Sequence, residues 1–302
     1  MSFNPYQERA ARVTVTVTRP DSTGAQKEQT YTFEQHRMRI GIREGGNQFG
    51  NLKAEIYGVP LDAMNQIARL WLETLTPQNT DTVKIDVWNG AAFTPIFQGV
   101  VTWSAVDASN MPDVKLVLEA NASFALSNVS ASPYTVPDAP PVLLKDALTA
   151  IAAPAGFAVD YSDAAPAYSL TNTRVTGSPL TQLGAVLGAF PDLRWFVHLQ
   201  RIVVLPVQKP FQSDSVRIAA DNGMIGNPVY SSSGLQVSTL FNPVIRPGVA
   251  LDVHSMFDFV NRTVWVANVI AHQLDVNMPG GQWFTGIAAS SYGPKGNNQQ
   301  SA

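Results

Sequence analysis

Between Arg12 and Thr18 the chain reads Arg-Val-Thr-Val-Thr-Val-Thr, and this two-residue alternation of apolar and polar side chains fits an extended strand with one dry and one wet face. The same period returns at Tyr31 to Phe33, Met38 to Ile42 and Leu52 to Tyr57, with a polar turn at Asp21 to Gly24 and a break at Glu44-Gly45-Gly46-Asn47. It resumes at Thr82 to Trp88, Thr94 to Val106 and Val114 to Glu119, where Asn89-Gly90 marks a hairpin turn between the first two. One helix interrupts the series: Leu61, Met64, Ile67, Ala68 and Trp71 fall at helical spacing behind Pro60, which suits a first helical turn. These segments predict a small antiparallel β-barrel or sandwich carrying one helix, and a first domain over residues 1–128.

Pro133, Pro137, Pro140 and Pro141 read as a linker or crossing loop across Ser130 to Pro141. Beyond it the pattern predicts a helix over Val142 to Ala152, a strand over Phe157 to Tyr161 and a helix over Pro179 to Ala189 with Ser178 as N-cap. A hairpin of Leu193 to Leu199 with Arg201 to Leu205 completes a mixed α/β middle domain, residues 129–212. Strand patterning then returns at Val237 to Phe241, Val249 to Val253, Val264 to Ala271 and Trp283 to Ala289, giving a second β-barrel domain over residues 213–292. The polar, Asn- and Gln-rich residues 293–302 read as a disordered tail. The fold class expected is mainly β: two antiparallel barrel or sandwich domains flanking a small mixed α/β region.

Charged residues make up 14% of the chain against 45% hydrophobic ones, whereas soluble domains carry roughly 25% charge. Much of the surface is therefore uncharged, as in a β protein with Ser, Thr, Asn and Gln outside or one whose surface neighbouring subunits cover. The absence of Cys removes disulfides and thiolate chemistry and fits assembly in a reducing cytoplasm. A formal net charge of −3 without any Lys/Arg run argues against stable nucleic-acid binding. No signal-peptide pattern or membrane-length apolar stretch occurs, so no membrane partner is expected.

The order of turns in the last third is the most specific feature. Asn222-Gly223-Met224-Ile225-Gly226-Asn227-Pro228 is followed by Ser233-Gly234-Leu235-Gln236-Val237, then Leu240-Phe241-Asn242-Pro243 and Arg246-Pro247-Gly248. Gly223, Gly226, Gly234 and Gly248 permit positive φ, while Pro228, Pro243 and Pro247 fix turns and, with Asn242, close strands. A second series runs Val266 to Ile270, His272-Gln273-Leu274-Asp275 and Gly280-Gly281-Gln282-Trp283-Phe284-Thr285-Gly286: a strand carrying His272 and Asp275 turns through Gly into one containing Trp283. Together these resemble the baseplate hub proteins of tailed bacteriophages, of the Mu-like and T-even-like kind. Asn51 to Val59, a strand running into a helix, is similar to that family's first domain. Residues 215 to 290 carry most of the likeness.

That resemblance implies a structural virion protein rather than an enzyme, without cofactor or metal. It implies a homotrimer in which each chain supplies two tube-type barrels, joining the six-fold tail tube to a three-fold central spike. Its partners would be the tail tube protein, the spike and other baseplate proteins, and DNA would pass through its lumen without specific binding. The alternatives are a distal tail or tube-initiating protein, a spike-like secretion-system component, or a cell-wall hydrolase.

The residues themselves offer little chemistry. His36, His198, His254 and His272 are far apart, with no metal-ligand spacing. His272, Asp275 and Ser290 could be imagined as a hydrolase set, but no Gly-x-Ser-x-Gly elbow exists. Asp107 and Asp113 read as a solvated hairpin loop rather than a glycosidase pair. Gly41 to Gly50 lacks any phosphate-loop ending and reads as a flexible loop able to reach a neighbouring subunit. The six Trp residues lie in periodic segments and are expected in the core.

Overall fold

The computed structural model describes residues 9–20, 23–46, 48–69, 81–207, 209–211, 214–232 and 234–294. Its first seven strands are β1 (Ala11–Pro20), β2 (Gln26–Phe33), β3 (Met38–Gly45), β4 (Gln48–Tyr57), β5 (Thr82–Trp88), β6 (Phe93–Asp107) and β7 (Lys115–Asn121). They lie in the order β2-β1-β5-β6-β7-β4-β3, each neighbour antiparallel. Their alternation is realised as sequence demands: Val13, Val15 and Val17 point inward while the intervening threonines face out. α1 (Leu61–Ile67) covers the inner face with Ala63, Met64 and Ile67, and α2 (Phe124–Asn128) follows β7.

The middle region holds β8 (Tyr134–Val136), β9 (Val142–Leu143), α3 (Leu144–Ala152), β10 (Ala158–Tyr161), β11 (Ser169–Leu170), β12 (Thr173–Val175), α4 (Pro179–Leu187), β13 (Leu193–His198) and β14 (Arg201–Pro206). Its strands form three small ladders, β10-β14-β13, β11-β9 and β12-β8. Ser178 caps α4, its Oγ accepting from the Thr181 N–H, with Pro179 at the first position. Leu148 and Ile151 of α3 and Leu183 and Val186 of α4 join the same hydrophobic core as Val13, Ile40 and Ile85 of the first sheet region. At about 2 kcal/mol for each large aliphatic side chain removed from water, that shared core is the main tie between the two regions.

The last six strands are β15 (Ser215–Ile218), β16 (Met224–Ser231), β17 (Gly234–Leu240), β18 (Ala250–Val253), β19 (Thr263–Val276) and β20 (Trp283–Pro294), with α5 (Asp258–Asn261) before β19. They run β16-β17-β20-β19, with β18 on β19 and β15 parallel to β18, around a second core that includes Leu235, Leu251, Trp265 and Ile287. β19 also pairs with β3, from Val269 opposite Gly45 to Val276 opposite Met38, so the two β regions are fused into one thirteen-stranded sheet. The chain is thus mainly β, two antiparallel regions flanking a mixed one.

Several local expectations need correction. Ser130 to Pro141 is not wholly a loop: between Pro133 and Pro137 the chain forms β8, anchored by buried Val136. Val142 and Leu143 are strand, and the helix starts at Leu144. Gly41 to Gly45 and Gln48 to Gly50 belong to β3 and β4, and Gly41 serves to admit the Gln273 amide, which a Cβ would approach to 3.3 Å. Glu44 and Gly45 are buried inside the chain and so do not reach a neighbour as a loop. Asn227-Pro228 does not close a strand but sits within β16, where the register with β17 shifts between Ile225 and Val229. α1 ends at Ile67 because Ala68 is extended; Trp71, Ser233 and residues 295–302 lie outside the described residues, while Gly293 and Pro294, expected in the tail, are strand.

Candidate functional site

The punctuating residues hold the C-terminal region in shape. Gly223 has φ +82°, and its carbonyl accepts from the Leu240 N–H at 2.7 Å and Thr239 Oγ1 at 3.1 Å. Gly226, φ +69°, and buried Pro228 make the irregular stretch of β16. Gly234 is required outright, because a Cβ there would lie 2.2 Å from the Ala289 carbonyl oxygen. Asn242 Oδ1 accepts from the Val244 N–H at 3.0 Å, building the turn through Pro243 that ends β17. Gly248 ties three segments together: its N–H donates to Ala267 O, its carbonyl accepts from Phe211 N–H, and Phe196 and Leu205 occupy the space a side chain would fill. Buried Pro247 packs beside Gly45.

His272, Asp275 and Trp283 belong to the seam between the two β regions instead. His272, on β19 opposite Ile42 and Thr285, shares a 2.9 Å hydrogen bond between Nδ1 and Thr285 Oγ1, and Phe241 packs edge-on against its ring. Burial, helped by the charge of His198, pushes its pKa down to about 3, so the imidazole is neutral at pH 7. Trp283 packs on Phe241. Asp275 accepts from Arg39 Nε at 3.3 Å and from the Gln282 N–H at 3.0 Å, a charge-assisted link from β19 to β3.

A second polar junction joins all three regions. His198 at the end of β13 bonds through Nδ1 to Glu44 Oε2 at 2.9 Å, and Glu44 Oε1 is buried with no hydrogen-bond partner among the described residues. Arg194, on the same strand, donates through Nη1 to Asn268 Oδ1 in a bulge of β19; burial lowers its pKa to about 10, which leaves it charged. Sequence reasoning missed this cluster, since Glu44 and His198 are 154 positions apart and neither carries a local signature.

The imagined hydrolase set is not assembled: Thr285 takes His272, Arg39 and Gln282 take Asp275, and Ser290 Oγ faces Asn268. Asp107 is held low by hydrogen bonds from Ser109, the opposite of what a general acid needs, and Asp113 is engaged by Arg37 at 2.7 Å. Among the described residues no group of three or more His, Asp or Glu is arranged to hold a metal, and no helix is long and apolar enough to cross a membrane. Trp265 and Trp283 are core, whereas Trp88, Trp103 and Trp195 are only half-buried.

What remains conspicuous is surface. Among the described residues β2 and β16 are the end strands along the sheet, each paired on one side only. β2 presents Gln26, Lys27 and Glu28 to solvent, a charged edge that resists strand addition, while β16 exposes Ile225, Val229 and Tyr230. Nearby, Tyr230 meets Phe259 edge-on at 5.2 Å, Phe259 lies beside Phe257, and Met256 and Tyr292 are also exposed. Of the exposed large apolar residues, most belong to this C-terminal region, the kind of patch that marks a protein interface.

Solved structures share the architecture. A tail protein from Neisseria meningitidis MC58 is similar over 93% of this chain and 96% of its own, with a TM-score of 0.62 and 11% identity. The 43 kDa tail protein of prophage MuSo2 from Shewanella oneidensis covers 92% and 96%, at TM-score 0.57 and 10% identity. A type VI secretion system component from E. coli covers 86% and 74%, at TM-score 0.55 and 9% identity. No curated protein matches the chain in sequence. The family model described as baseplate hub gp41 matches residues 72–277, which takes in the middle region, the turn series and the β19 seam with His272 and Asp275. By that match the chain belongs to the baseplate hub gp41 family, a structural component of the phage tail.

Proposed function

We propose that the protein is the hub of a phage baseplate, a homotrimeric ring that joins the six-fold tail tube above to a three-fold central spike below and surrounds the DNA exit channel. The observation that carries this reading is the β19–β3 ladder, which fuses two β regions into one body in each chain. Three such chains present six β regions to a six-fold tube while keeping three-fold symmetry toward a spike. The exposed Tyr230, Phe257 and Phe259 surface supplies an apolar contact for a neighbouring subunit or stack partner. The partners in this reading are the tail tube protein, the central spike and other baseplate proteins, and the location is the tail of the virion. DNA passes without specific binding, which the net charge of −3 favours.

Native mass spectrometry of the concentrated protein, alone and with its spike, tests the proposal. A mass of three chains and a three-fold ring by electron microscopy are expected; a strictly monomeric species under both conditions would overturn it. A second reading, a spike-like component of a secretion system, draws on the E. coli protein, whose structure is described as similar to the T4 tail proteins gp27 and gp5. Imaging of labelled protein in tails separates the two. A peptidoglycan turbidity assay separates both from a hydrolase, and no clearing is expected.

A further inference from the structure

A cleft of about 690 Å³ opens where β15 and the turn through Asn242 to Val249 face the start of β6 and the end of β13. One wall is the outer edge of β15. The Ile218 carbonyl accepts from the His254 N–H, so in this parallel ladder Val216 and Ile218 turn their backbone groups toward β18, whereas Ser215 and Arg217 turn theirs the other way. Among the described residues no strand pairs on that side, and the one outward group with a partner is the Arg217 carbonyl, which accepts from Asn222 Nδ2 at 3.0 Å. The edge therefore offers a backbone N–H and further groups from Ser215 to an incoming strand.

The side chains of the cleft define what such a strand carries. Val216 and Val244 give it apolar ground, with Val244 half exposed. Arg246 projects its guanidinium over the Phe211 ring at 5.8 Å and makes no ion pair within the described residues. The acidic group that feels its charge, Asp160, is already engaged in a two-pronged pair with Arg201. Arg217 adds a second cation, paired among the described residues to exposed Asp221 at 3.1 Å, against one acid in the lining, Asp214. An unpaired guanidinium beside a free strand edge recognises a carboxylate on an extended chain.

We propose that this cleft binds an acidic, extended peptide segment of a partner protein as an added strand on the outer edge of β15, with Arg246 taking its carboxylate. The site does not depend on the ring proposed above, and it differs from the apolar surface around Tyr230.

The test uses the full-length protein and a dye-labelled peptide, Thr-Val-Thr-Val-Asp with a free C-terminus, followed by fluorescence anisotropy. Its control carries Asn in place of Asp and a C-terminal amide. The acidic peptide is expected to bind saturably and about tenfold more tightly than the control, the gain of one charge-assisted contact. Arg246→Ala and Arg246→Gln are expected to erase that preference. Arg217→Pro, which removes the outward N–H but no bond to β18, is expected to weaken both peptides while the circular dichroism spectrum stays that of the parent. Equal binding of the two peptides, no binding by either, or unchanged binding in Arg246→Gln would overturn the proposal. Displacement of the peptide by oligothymidylate would also overturn it, by assigning the cleft to phosphate.

Discussion

His272 makes stability depend on pH through a single ring. Its folded pKa of about 3 lies below the unfolded value near 6.5, so between those values the unfolded chain binds the extra proton and folding is disfavoured as pH falls. Urea unfolding at pH 5 is expected to give a stability about 2 kcal/mol lower than at pH 7 from this group alone, and His272→Gln is expected to flatten that dependence. The glycines offer a second contrast at the same scale. Gly45 has φ +86° and a Cβ there would stand 2.0 Å from Asn268 O, whereas Gly24, φ +83°, has nothing within 4 Å. Gly45→Ala is therefore expected to cost more than about 2 kcal/mol and Gly24→Ala about 1, measured as shifts in urea midpoint. His272 and Asp275 could be singled out from sequence because a His and an Asp stand near the end of a strand whose first half is largely apolar, just before a Gly-rich turn. The Glu44–His198 contact could not, since it exists only once three distant segments have met.

At the level of elements, legibility followed how many independent signals agreed. α4 has a Ser cap, a Pro at its start and a helical apolar period, and it forms where expected. Ser178→Ala removes that cap and is expected to lower stability by about 1 kcal/mol in thermal or urea melts. β16 was hidden for the opposite reason: Gly226 and Pro228 look like terminators, yet an end strand with a register shift accommodates both without breaking its ladder to β17. β15 is four residues long and pairs parallel, and a run that short carries too little alternation to announce itself. The glycines of β3 misled in the same way, because a Gly that makes room for a neighbour's side chain and a Gly that bends a loop look identical in one dimension.

For the whole molecule, the fold class was readable because alternation recurs over most of the chain, but the joining of the two β regions was not, since pairing partners more than 200 positions apart leave no local trace. The first and middle regions share one hydrophobic core, so calorimetry is expected to show them melting together rather than as separate transitions. The seam has a mechanical consequence. A load applied between the N-terminal and C-terminal regions falls on the antiparallel ladder of β19 and β3, whose backbone hydrogen bonds share it, braced by Arg39 and Asp275, and not on a compliant tether. Such a body passes a pull from one end to the other with little stretch, so single-molecule pulling across it would record one high-force rupture in place of a gradual lengthening.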